Sequence, residues 1–102
     1  MARRLERFDR LHASNLAEAE YRGALARERA AEPGALLDRI SWILPDRPLT
    51  DELGKVLAAG HLRGADLWHV ACALFLAEPG DLAFVTLDKG QRAVAERLGF
   101  AA

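Results

Sequence analysis

The sequence has one cysteine, Cys72, among its 102 residues. An internal disulfide is therefore excluded, and a reducing cytoplasm is the expected setting. Cys72 lies in an apolar stretch, where a thiol behaves as a small buried side chain. Long hydrophobic runs are also missing. The longest, Val70 to Ala77, falls well short of the roughly 20 residues that cross a bilayer, so no membrane-spanning helix is expected. The arginines near the N-terminus are not followed by an apolar segment, which argues against a secretory signal. Neither sign of charge dominates. A net charge of −1 gives no strong global field for nucleic acid, although a local basic rim around an acidic site is compatible with it. Internal repeats, linkers and low-complexity tracts are absent as well. The sequence does have a hydrophobic content of 51%, ample for the core of one domain spanning 1–102.

Hydrophobic periodicity predicts a short helix over 3–11, where Leu5, Phe8 and Leu11 recur at helical spacing with Arg3, Arg4, Arg7 and Arg10 between them. Ser14 or Asn15 caps a second helix, which runs to about Ala31 and is stopped by Glu32-Pro33-Gly34. A short helix over 35–39 precedes a brief strand over 40–44, closed by Pro45. Thr50 is the expected N-cap of a helix over 51–59, with Asp51 and Glu52 in its first turn and Gly60 at its end. A helix over 65–77 follows, then a turn at Glu78-Pro79-Gly80-Asp81. Residues 82–86 carry so little polarity that they read as a parallel strand covered on both faces. The last helix covers about 88–98 and stops at Gly99. Strand and helix alternate, which predicts a small α/β sandwich with a parallel sheet.

Three carboxylates occupy places where acids need a partner. Asp66 stands in the first turn of the apolar helix 65–77, on one face with His69 and Val70. The helix dipole alone stabilises an acid there, but the mouth of a buried helix also suits a metal ligand. Asp88 follows the strand over 82–87, at the carboxyl end, where open α/β sheets bind ligands. A plain N-cap aspartate is the alternative. Thr86 points to the same side as Asp88 and is placed to support a ligand or a water. Glu20 is surrounded at helical spacing by Leu16, Ala17, Gly23 and Ala24, which directs it toward the interior or a cleft. Glu18 is directed instead toward water and pairs with Arg22 four residues on. His69 either orients a metal-bound water or is a satisfied residue at the core edge. Trp42 and Trp68 read as packing residues, and Asp9, Asp38, Asp46, Asp51 and Asp81 as solvated. Acids in apolar surroundings call for a hard divalent cation.

Taken in order, Ser14–Leu25, Leu62–Leu76 and Phe84–Phe100 resemble the PIN domain, most closely the VapC-type toxins of bacterial toxin–antitoxin pairs. The resemblance covers most of the chain. It implies a three-layer α/β/α sandwich with a small parallel sheet and an RNA-cutting activity that uses Mg²⁺ or Mn²⁺ held by clustered carboxylates. Carried over, the family's second acid falls on Glu20, its third on Asp66 and its fourth on Asp88, with Thr86 as the accompanying hydroxyl. The implied partners are an RNA substrate and a cognate antitoxin. A homodimer is a further expectation, because apolar helix faces beyond so thin a sheet need cover. The family opens with an apolar strand bearing its first aspartate and a small hydroxyl residue. The present sequence has no counterpart, and Asp9, set in a helical pattern, is a poor substitute. The expectation is an N-terminally truncated PIN-like domain with three acids. Its missing strand is explained by an upstream start, by a true truncation, or by a partner or second copy that supplies it.

Two other functions compete with the ribonuclease. One is a catalytically impaired PIN-like module that binds an antitoxin or RNA without cutting. The other is a helix–turn–helix DNA binder built on 51–59 and 65–77. The apolar character of 67–77 argues against it, since a recognition helix needs a polar face.

Overall fold

Ser14 shows how the chain is organised locally. It ends a four-residue strand, β1 (Leu11–Ser14), and its hydroxyl accepts a hydrogen bond from the Ala17 amide at 3.1 Å. It thereby caps α1 (Asn15–Arg27), which starts at the next residue. At 4% exposure this hydroxyl is buried, so the cap also gives it the partner that a buried polar group requires. In the computed structural model, residues 10–27 and 39–101 are described. They form a mixed α/β chain that also contains β2 (Ile40–Ile43), α2 (Thr50–Ala59), α3 (Gly64–Leu76), a 3₁₀ turn (Pro79–Asp81) and α4 (Lys89–Leu98). Contacts divide the chain into two compact units, Met1–Leu44 and Pro45–Ala102.

In the first unit β1 and β2 pair in parallel, with Leu11 opposite Ile40 and Ser14 opposite Ile43. Among the described residues the sheet is parallel, as the alternation predicts, and has two strands, of which only the one at 40–43 was expected. The strand at 40–43 is where the β-branched and aromatic residues of Ile-Ser-Trp-Ile predict it. β1 is not the expected helical ending: Leu11 pairs with Ile40 and is extended. Four residues reading Leu-His-Ala-Ser have no strand signature alone, and the pairing decides their conformation. The expected helix over 3–11 otherwise lies outside the described residues, as does most of the one over 35–39. The predicted Glu18–Arg22 pair forms, at 3.0 Å on the surface; exposed pairs of this kind contribute about 0.3–0.5 kcal/mol.

The second unit is a helical core with a short extended segment. Four consecutive residues of α3, Val70 to Ala73, are buried. Four residues span a full helical turn, so the middle of α3 is covered on every side, as its nearly unbroken apolar sequence requires. Burial pushes the Cys72 thiol up to about 11, consistent with a packing role. α2 contributes Val56, and α4 contributes Val94 and Ala95 from one face. α2 and α4 approach closely at Gly60. A β-carbon there would lie 2.7 Å from Val94 Cγ2, and a β-branched side chain has little freedom to yield. Arg97 Nη1 donates to the Ala59 carbonyl at 2.9 Å, satisfying the end of α2 from a second helix.

Two boundaries have clear chemistry. α4 ends in a Schellman turn: Gly99 has φ 101°, its amide donates to the Glu96 carbonyl at 3.0 Å, and the Phe100 amide donates to the Ala95 carbonyl at 3.1 Å. α2 starts one residue earlier than predicted, at Thr50, and no side chain caps it. Its N-cap is Leu49, which is buried, and the start is held instead by Arg47, which hydrogen-bonds both carboxylate oxygens of Glu52. The same guanidinium lies 5.1 Å from the Phe75 ring centroid, tying α2 to α3.

The Arg47 hydrogen bonds hold the Glu52 carboxyl down at about 2, against an ordinary value of 4.5. A depressed carboxyl pKa stabilises the folded state above the unfolded value and loses that effect as pH falls through the folded one. The contribution is therefore complete above pH 4.5 and is lost between 4.5 and about 2. Urea midpoints of the protein and its Glu52→Gln variant are expected to differ at neutral pH and to converge near pH 2. An equal separation at both pH values would show that the charge contributes nothing.

The predicted strand over 82–86 is corrected to a single parallel bridge, Ala83 to Ala101. Ala101 donates to the Leu82 carbonyl at 3.2 Å, and Phe84 donates to the Ala101 carbonyl at 3.0 Å. The chain is extended there, but its ladder partner is one residue long and its side chains are half-buried rather than covered on both faces. The Phe84 and Phe100 rings, with centroids 5.9 Å apart, pack beside the bridge. Among the described residues, no helix is long and apolar enough to cross a membrane.

Candidate functional site

The second unit brings two helix N-termini, each with an acid, to one corner. Gly64, with φ 58°, opens α3 and turns the chain so that Asp66 is its third residue. Asp66 and Asp88 are both exposed, not set in the apolar surroundings expected of them, because each stands at the water-facing start of its helix. Asp88 is the N-cap of α4, and its Oδ1 accepts from the Gln91 amide at 2.7 Å. The plain capping role is thus real, and it orients the carboxylate through one oxygen. The Thr86 hydroxyl accepts from the Asp88 amide at 3.1 Å and donates to Gln91 Oε1 at 2.7 Å. Gln91 Nε2 donates to the Asp66 main-chain carbonyl at 3.2 Å. One buried glutamine therefore joins the start of α3 to the Thr86–Asp88 turn.

Arg92 adds a cation to this corner, its Nη2 donating to the Thr86 carbonyl at 2.8 Å. His69 lies one helical turn beyond Asp66 and is half-buried. The sequence singles out Asp66, Asp88, Thr86 and His69 as candidates; Gln91 and Arg92 join the corner only in the structure. A signal for Gln91 was available: Asp88-Lys89-Gly90-Gln91 has the spacing of a capping box, in which an N-cap acceptor is followed three residues later by Glu or Gln.

Glu20 belongs to the first unit, on α1. The orientation expected of that helix is reversed: Glu20 is exposed and Glu18 is half-buried. The neighbours that suggested an inward face are small, and Leu16 is itself 38% exposed. Such residues have little apolar area to bury, so they do not fix the rotation of a helix.

The donors in the second unit are hard oxygens. Among its described residues, no group of three or more His, Cys, Asp or Glu side chains is placed to hold a metal ion. So few acids could hold at most a cation that binds through one or two carboxylates and keeps several waters. No family model, curated protein or solved structure matches the chain.

Proposed function

We propose that this chain is a PIN-type, metal-dependent endoribonuclease that hydrolyses RNA phosphodiester bonds and acts in the cytoplasm as a toxin restrained by a cognate antitoxin. The three-layer α/β/α sandwich belongs to the same reading. The observation that carries it is the Gln91 tie, which joins the first turn bearing Asp66 to the cap bearing Asp88. These are two of the three positions that the ordered motifs assign to the family's acids. The third, Glu20, rests on the sequence resemblance.

In this reading Asp66 and Asp88 hold Mg²⁺ or Mn²⁺. An ion held there would supply Lewis-acid chemistry toward the phosphodiester. Asp88 offers the cation its second oxygen, since the Gln91 amide engages Oδ1. The Thr86 hydroxyl is committed to Asp88 and Gln91, so it fixes the turn instead of acting on the substrate. His69, one turn beyond Asp66, orients water at the edge of the site.

The test is incubation of the protein with single-stranded RNA, with Mg²⁺ or Mn²⁺ and with a chelator. Cleavage is expected with the metal, is expected to stop on chelation and should return when the metal is restored. RNA or antitoxin binding without metal-dependent cleavage would favour the non-catalytic module.

A further inference from the structure

The extended run from Leu82 to Thr86 has one edge taken and one open. On the taken edge the Leu82 carbonyl accepts from the Ala101 amide at 3.2 Å, and the Phe84 amide donates to the Ala101 carbonyl at 3.0 Å. The Thr86 carbonyl is taken as well, by Arg92 at 2.8 Å. Main-chain groups of an extended chain alternate in direction from one residue to the next. The amides and carbonyls of Ala83 and Val85 therefore face the other way, and among the described residues no hydrogen-bond partner meets them. Natural edge strands carry a lysine, a proline, a bulge or an inward charge that prevents pairing. Leu82-Ala83-Phe84-Val85-Thr86-Leu87 has neither charge nor proline, and Leu87 is 79% exposed.

We propose that this edge pairs antiparallel with the same edge of a second copy of the chain, about a two-fold axis at Phe84. The proposal stands apart from the metal-site reading. Symmetry fixes the register. Ala83 of each copy stands opposite Val85 of the other, and such a pair exchanges both of its N–H···O bonds. Every open main-chain group at Ala83 and Val85 is then used. Two observations favour a copy over a foreign strand. The far side of the run is already bridged by Ala101 in each copy, so the pairing closes on itself, as an isologous contact does. A free peptide would instead bring a new open edge. The two-fold also sets Asp81 across from Leu87 of the other copy, and Asp88 across from Gly80. The acids that flank the run therefore do not oppose one another, as like charges across a pair would. So short a contact is weak, since interfaces below about 1,000 Å² are transient.

The experiment is sedimentation of the full chain between about 1 µM and about 1 mM, the range of weak complexes. The mass is expected to rise from one copy to two. Val85→Pro removes only an open amide, because the Ala101 bridge does not use it, and proline asks of Phe84 an extended conformation that it already has. This variant is expected to keep the helical far-UV spectrum and to associate about 10–100-fold more weakly, from the loss of one hydrogen bond per copy. A chain that stays monomeric to about 1 mM overturns the proposal. So does association unchanged in Val85→Pro, which would place the contact elsewhere. If Val85→Pro does not fold, amide hydrogen exchange on the unaltered chain decides. The Ala83 and Val85 amides should exchange fast at low concentration and slowly at high. Protection independent of concentration would put another segment of this chain on the edge, and fast exchange at every concentration would leave it to a foreign strand. Either result overturns the pairing of two copies.

Discussion

Asp88→Asn is expected to abolish divalent-dependent RNA cleavage while leaving the protein folded. Asparagine is about as good an N-cap as aspartate, and its side-chain oxygen can still accept from the Gln91 amide, as Asp88 Oδ1 does at 2.7 Å. The substitution therefore removes the charge and keeps the cap. A neutral amide is a poor ligand for a hard cation, so the loss of activity should exceed the roughly 100-fold upper range for removing an outer partner. Asp66→Asn should behave alike, because its link to Gln91 runs through the main-chain carbonyl, which the change leaves in place. Cleavage rates and urea midpoints measured on the same preparations separate the two effects. Undiminished cleavage in both variants would remove the ribonuclease reading, whereas lost activity with a large fall in midpoint would mean that the acids matter for folding.

Leu49→Ala is expected to be strongly destabilising, at about 2–5 kcal/mol. Leu49 is 2% exposed and among the largest fully buried side chains described. It also stands at the N-cap of α2, where its carbonyl accepts from the Leu53 amide at 2.8 Å. Its side chain therefore anchors the point at which the chain enters the core, and removing it leaves a cavity that the ion pair at Arg47 and Glu52 cannot close. Against a typical total stability of about 5–15 kcal/mol, the loss should appear as a large drop in urea midpoint with little change in slope. Leu57 lies on the same helix but is 48% exposed, and Leu57→Ala should cost about 0.5 kcal/mol or less. Similar costs for both would mean that Leu49 is not in a packed core.

How far the sequence could be read varied with the range of the interactions involved. Gly60 and Gly99 mark helix ends in the sequence, and both end helices in the structure. The apolar run of α3 announces a core helix, and its centre is buried on every side. Asp88 was readable as a cap because that interaction spans three residues. Where the partner is distant, the reading ran out. Leu11 joins a strand because Ile40 lies beside it. The extended segment after Leu82 stops at one bridge because the returning chain offers only Ala101. The spacing of Gln91 from Asp88 is a local signal, but its side-chain partners at Asp66 and Thr86 are set only by folding.

The sequence alone determined the start of α1, the ends of α2, α3 and α4 to within about a residue, and the buried cysteine, since these follow from periodicity and breakers acting over one or two turns. Only the tertiary structure decided which short segments pair as strands, that Glu18 and not Glu20 is the more covered glutamate of α1, and that a buried amide joins the turns carrying Asp66 and Asp88. Each of these depends on a group brought near by folding, and no local pattern records where such a group will be.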